Sequence, residues 1–259
     1  MSEEVFRYPT VKEVAFEIKF PHLFSIENRI GDFQEKIILQ FPDSAQVLHR
    51  QVMFADTGLE GKIETVPIPE GFQPDTVRKS WVFKSKGKIE VKIQTNAVSI
   101  ISQEHKTYNN PSSEEKFRDV IDFVLSNFFK VINVPIIKRI GLRYIDHCPL
   151  PSKENETLKK LYNSTFPIDK FSIKDAQSFY FNINTNRKNH KLIYQEGLIK
   201  NDKGDEVLLL DFDGFETDIA STDFLKVADE LHEIIKGEYF SIIKEPVKQY
   251  MRTGKLEIE

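Results

Sequence analysis

Two short runs carry side chains whose type and spacing could do chemistry. In KRIGLRYIDHCPLP, Lys138 to Pro151, apolar and polar residues alternate. If this run is a strand, Ile140, Leu142 and Tyr144 point one way and Arg139, Gly141, Arg143 and His147 point the other. The two arginines would stand roughly 13 Å apart at ~3.3 Å per residue. That is too far to grip one small carboxylate, but it suits neighbouring phosphates or an acidic partner surface. Gly141 between them would let a ligand approach the backbone. The competing reading is that both arginines pair with acids on adjacent strands, with Glu13 and Glu17 as the obvious candidates.

The second run holds Asp211 and Asp213, two carboxylates on one face of a predicted strand, followed by Glu216 and Asp218. A D-x-D pair can hold a divalent cation for phosphate chemistry. The spacing does not match a calcium-binding helix–loop–helix loop, which needs a glycine at its sixth position and a glutamate at its twelfth. From Gly204 to Asp223 there are seven acids and no lysine or arginine. A strand end running into an acidic helix entry is therefore the preferred reading, since carboxylates favour helix N-termini. The six histidines, at positions 22, 49, 105, 147, 190 and 232, never take the i,i+4 spacing of a helical metal pair. Neither a metal nor a cofactor is assigned.

Nucleophilic chemistry has even less support. The only cysteine, Cys148, follows His147 directly, and adjacent strand residues point to opposite faces, so the two cannot easily form a nucleophile and base. A buried, inert thiol is expected. His232 falls on the apolar seam of a predicted helix, where a hydrogen-bonded packing histidine is the default. The sequence has no G-x-S-x-G elbow, Walker loop or dinucleotide-binding glycine pattern.

The elements that must position these residues can be read from periodicity. A strand is predicted at Glu13 to Phe20, then a helix from Ser25 to Gln40 with Ser25 as N-cap, then a strand at Gln46 to Phe54. Asp56 to Pro74, with three glycines and three prolines, reads as the longest irregular stretch. Strands at Lys79 to Lys84, Lys88 to Thr95 and Ala97 to Gln103 suggest a meander. A capping box, Ser112 with Glu115, should open a helix whose seam is Phe117, Val120, Ile121, Val124, Leu125 and Phe128.

The same order then returns. A strand at Ile136 to His147 precedes a short helix at Lys153 to Tyr162, strands at Ser178 to Thr185, Lys191 to Lys200 and Val207 to Asp213, and a helix at Ser221 to Lys236. The expected class is α+β, an antiparallel sheet packed against helices. Two arrangements stay open: two similar halves, 1–134 and 135–259, each strand, helix, strands, helix, or one continuous domain.

Composition sets the outer limits. The chain is 40% hydrophobic and 29% charged with a formal net charge of -4, ordinary for a globular protein. That charge is against a general nucleic-acid coat protein, although a local basic patch would still permit nucleic-acid contact. The sequence has no run of ~18 apolar residues to span a bilayer, and its start, MSEEVFRYPTV, is acidic. No membrane association is expected, and the cytoplasm is the expected compartment.

Several of these pieces together resemble one family. PTVKEVAFEIKF from Pro9, Phe41-Pro42, WVFKS from Trp81, Tyr108 before a helix, the RIGLRY block at Arg139 to Tyr144, and LHEIIKGEYFSII from Leu231 are similar to a sporadically distributed family of uncharacterised prokaryotic proteins of about this length. Asp146 and His147 follow the most specific block where Asn and an apolar residue would be expected. The resemblance implies a stand-alone prokaryotic protein and supplies no activity or catalytic residues. Patchy distribution is typical of accessory genes, including antiviral defence systems.

The missing catalytic signatures point away from an enzyme and towards an accessory subunit that docks a protein partner, in a defence-linked setting of the CRISPR-associated or toxin–antitoxin kind. The acidic segment Asp205 to Asp223 and the Asp56 to Pro74 loop are the expected contact surfaces. The alternative is a nucleotide or nucleic-acid binding protein, even a metal-dependent phosphohydrolase, with Arg139 and Arg143 on phosphates and Asp211 and Asp213 on a metal. The candidate binding residues are therefore Arg139, Arg143, His147, Asp211 and Asp213.

Overall fold

A computed structural model describes residues 4–49, 78–104, 107–201 and 203–257. The Asp56 to Pro74 loop and the end of the predicted Gln46 to Phe54 strand lie outside them. Among the described residues nine strands form one antiparallel sheet in the order β2-β3-β4-β5-β1-β6-β9-β8-β7. The strands are β1 (Val11–Lys19), β2 (Asp43–His49), β3 (Arg78–Lys84), β4 (Ile89–Gln94), β5 (Ala97–Ser102), β6 (Ile136–Pro149), β7 (Tyr180–Arg187), β8 (His190–Lys200) and β9 (Glu206–Ala220). The helices are α1 (Ile26–Ile37), α2 (Phe117–Val131), α3 (Asn155–Leu161), α4 (Phe224–Ile242) and α5 (Glu245–Thr253). The fold is α+β. Strands from before residue 134 make one contiguous block of the sheet and later strands make another, joined where β1 pairs with β6.

Strand alternation gives the sheet two unlike faces. Val14, Phe16 and Ile18 of β1, Ile140 and Leu142 of β6, and Leu208, Leu210 and Phe212 of β9 all lie on one face and are buried. The helices pack there. Phe33 of α1 meets Phe83 and Phe128 edge to face, with ring centroids 5.6 and 5.7 Å apart. Gly214 lets α4 approach β9, since a Cβ there would come 3.3 Å from Ile235 Cδ1 and 3.4 Å from Leu231 Cδ2. The opposite face of the central strands carries the charged residues.

Three local expectations are corrected. Ser25 makes no side-chain cap to α1, and its backbone is already helical. The capping box does not form: α2 starts at Phe117, after Lys116, and Ser113 Oγ instead donates to the Glu115 carbonyl. The strand predicted to end at Asp213 runs on to Ala220, because its far half pairs with β6 from Arg139↔Thr217 to Ile136↔Ala220. The acidic segment is thus mostly sheet rather than a helix entry. Cross-strand pairing outweighed the local preference of acids for a helix start. The helix predicted to end at Lys236 runs on as α4 to Ile242, and α5, which periodicity does not predict, follows it. Among the described residues no helix is long and apolar enough to cross a membrane.

Candidate functional site

The four charged residues singled out from the sequence do converge, on the helix-free face of β6 and β9. Arg139 Nη2 donates to both oxygens of Asp213, at 2.9 and 2.7 Å, and its Nη1 lies 3.6 Å from Glu17. Arg143 grips Asp211 with two donors, Nε to Oδ1 at 2.8 Å and Nη2 to Oδ2 at 2.5 Å. Each arginine reaches diagonally, since the residue directly across from Arg143 is Asp213. Burial pushes the Asp213 carboxyl above its usual range, and Arg139 offsets part of that.

The competing pairing reading was therefore nearer, with a correction to the partners. Asp211 and Asp213 on β9 take the arginines, while Glu13 accepts from Gln103 and Glu17 adds a longer contact to Arg139. The role of Gly141 is corrected too. The guanidinium of Arg139 itself lies over this glycine and over the Phe215 ring, 4.6 Å from its centroid. The arginines and aspartates pair with one another on this face. Among the described residues no group of three His, Cys, Asp or Glu side chains could hold a metal ion. His147 shares this face, and its backbone N–H donates to the Thr10 carbonyl at 3.0 Å.

The helix-covered face holds a different kind of site. A cavity of about 470 Å³ lies between the β1–β6 seam and helices α4 and α5, with the N-terminal arm across it. Its walls include Phe6, Val14, Phe117, Ile235, Phe240 and Met251. Its buried pole is polar. Thr10 Oγ1 donates to Asp146 Oδ1 at 2.7 Å and meets Tyr239 Oη at 2.6 Å, and Tyr239 Oη lies 3.3 Å from Met251 Sδ. A β-bulge between Val11 and Glu13 shifts the register of β1 against β6 at this point, and brings Thr10 to the carboxyl.

Asp146 is only 5% exposed, and among the described residues no cation pairs with it. Burial raises its pKa from the usual carboxyl range to about 7, against the lowering effect of the Thr10 hydrogen bond. Each hydroxyl in the chain has one proton, so the chain has two senses. With Asp146 ionised, Tyr239 donates to Thr10 and Thr10 to Asp146. With Asp146 protonated, the order can reverse and end on Met251 sulfur.

Neighbouring Cys148 is fully buried, and burial beside Asp146 pushes its thiol well above its ordinary range, so it is no thiolate nucleophile. A second polar group lines the cavity where His232 stacks on Tyr108 at 4.2 Å and Nδ1 lies 3.1 Å from Tyr144 Oη. Tyr108 donates to Asp229, which Arg118 also grips through two bonds. The rim carries Lys236, Lys248, Arg252 and Glu4. Arg252 is taken up by Glu4 and Glu245, both at 2.7 Å.

No family model, curated protein or solved structure matches this chain. The site therefore rests on its own geometry. None of the five residues singled out from the sequence lines the cavity. Thr10, Asp146 and Tyr239 were missed as a site, although one signal was present: Asp146 shares its strand face with Ile140, Leu142, Tyr144 and Cys148, an acid on an apolar stripe. The proximity of Thr10 and Tyr239 to it depends on the bulge and on α4, which periodicity does not report.

Proposed function

We propose that this chain is a non-catalytic binding protein whose cavity beneath α4 receives a small molecule. The observation that carries the reading is the pairing of mostly apolar, aromatic walls with one buried carboxyl that has a single hydroxyl partner. Ligand sites are built this way, as an apolar concavity with a few convergent polar groups. The volume, about 470 Å³, is within the range of small-ligand pockets, roughly 300–1,000 Å³.

The test is a filled cavity. Val14 is buried and lines the site, so Val14→Phe would place an aromatic ring inside it. The wild-type protein is expected to bind the neutral dye Nile red with a rise in fluorescence, and the variant to lose most of that signal while still melting cooperatively. Equal dye binding by a folded variant would sink the reading.

Docking of a protein partner, in an accessory role, is the second reading. What favours it is the broad sheet face that no described helix covers, with Lys19, Glu17, Arg143 and Lys191 partly exposed on it. Co-purification from the native host tests it, and a lone protein under several conditions would count against it.

A further inference from the structure

We propose that the cavity takes a dipolar ligand: a ring bearing an amino or amidino donor buried against the Asp146 carboxyl, with an anionic group at its far end held by the Lys236 and Lys248 rim. This rests on the cavity being a ligand site, as proposed above, and it names the chemistry of the occupant.

Asp146 defines the buried pole. Its Oδ1 accepts from Thr10, and its Oδ2 accepts nothing among the described residues. The two nearby hydroxyls cannot supply the missing donor, because the Thr10 proton is already on Oδ1 and Tyr239 faces Thr10 and Met251. A buried carboxyl with an unmet oxygen favours any guest that brings an N–H, and a charge-assisted bond is roughly twice as strong as a neutral one.

The middle of the cavity is aromatic. Phe6 and Phe240 pack against each other as one wall, their rings tilted at 41° with centroids 6.0 Å apart, and Phe117 and Tyr144 line the seam side. Such walls stack well on a planar ring. The outer pole is cationic. Lys248 lies 5.7 Å from the Phe240 ring centroid and has no carboxylate within ion-pair distance among the described residues. Lys236 adds a second positive charge, with Glu233 at 3.6 Å. The side chain of Lys236 is about one-third exposed, as befits a rim rather than a floor.

This polarity discriminates among guests. A simple amine would have to pass the lysines and would bring no anion to Lys248. A fatty acid would satisfy the lysines and leave an alkyl end against Asp146. Two sources meet the requirement: a purine nucleoside monophosphate whose base carries N–H donors, and an aminoaryl carboxylate.

The experiment is calorimetric titration of the full chain with guanosine 5′-monophosphate and with 4-aminobenzoate. Guanosine, benzoate and decanoate serve as probes lacking one pole. At least one of the two dipolar probes is expected to bind, at least about tenfold tighter than its truncated counterpart. Asp146→Asn should weaken it by a similar factor, and Lys248→Ala should weaken it several-fold and flatten its salt dependence. Which probe binds separates the two sources.

The inference is overturned if neither dipolar probe binds at millimolar concentration, if benzoate or decanoate binds as well, or if Asp146→Asn leaves binding unchanged. Nile red separates the two levels. Dye binding without any dipolar preference leaves the cavity reading standing and removes this one, and absence of both removes both. Should Asp146→Asn fail to fold, the Lys248→Ala variant and the truncated probes still decide.

Discussion

Opposite faces of the same two strands treat their acids in opposite ways. On the open face of β6 and β9, Asp211 and Asp213 each meet an arginine through two hydrogen bonds, and the charges cancel within the sheet. On the covered face Asp146 has one threonine hydroxyl and no cation among the described residues. Both arrangements hold acids in partly or fully dehydrated sites. Only the first is compensated from within the protein. Compensated charge is what a sheet uses to hold register, and uncompensated buried polarity is what a binding site leaves for its guest.

The largest way to break this comparison is to remove the uncompensated charge. The folded pKa of Asp146, about 7, lies above its usual value of 3.8, so between those values the folded state binds more protons than the unfolded one. Stability from this group is fully present below pH about 4, falls as pH rises, and is lost once pH passes about 7. At about 1.4 kcal/mol per pH unit, the full effect is on the order of 4 kcal/mol. Asp146→Asn should abolish that slope and be more stable than wild type at pH 8, as measured by urea unfolding across pH. The raised carboxyl of Asp213 adds a slope of the same sign, but it is common to both proteins and cancels in the difference. A variant as pH-dependent as wild type would mean that the Asp146 carboxyl is better solvated or paired than its contacts indicate.

The compensated face should respond differently. Removing one partner leaves the other bare, so Arg143→Ala strands Asp211, whose side chain is only 5% exposed. Breaking a fully buried pair costs ~3–5 kcal/mol. Because Arg143 itself is nearly half exposed, solvent screening lowers the expected loss to about 2 kcal/mol. Replacing both partners, Arg143→Met with Asp211→Leu, should recover most of it. If the double variant were as unstable as the single one, the pair would be holding something beyond itself.

What the sequence disclosed follows the same division. Strand alternation placed Arg139, Gly141, Arg143 and His147 on one face and the apolar residues on the other, and that alternation, together with the helical spacing of the seam from Phe117 to Phe128, carried the α+β class. Periodicity reports which face a residue takes; it does not report which neighbour it meets. Asp211 and Asp213 were visible as a pair, yet their arginine partners depend on β9 lying beside β6, a long-range pairing that spacing alone cannot rank against β1. Gly214 and the acids after it read locally as a strand ending, because turn-like residue types do not report the partner strand that carries β9 through to Ala220. The cavity was hidden for a related reason. It needs a bulge, an N-terminal arm, α4 and α5 to bring Thr10 to the Asp146 carboxyl, Tyr239 to Thr10 and Met251 to Tyr239.

The finest cut falls on Gly141. A Cβ at this position would lie 2.5 Å from Arg139 Nη1 and 3.1 Å from Cζ, so Gly141→Ala must push the guanidinium off its seat over Phe215 and away from Asp213. The guanidinium is the far end of a flexible side chain, so it can move at small cost, and the expected loss is the weakened ion pair and ring contact, about 1 kcal/mol. In an Arg139→Ala background the three atoms nearest the methyl are gone, and the same change should be neutral or slightly stabilising, since alanine loses less chain entropy than glycine in a strand. A coupling of about 1 kcal/mol between the two substitutions would show that the glycine is there to seat the arginine. An equal cost in both backgrounds would assign Gly141 to the backbone instead, and the open face would then owe its order to the strands rather than to its charges.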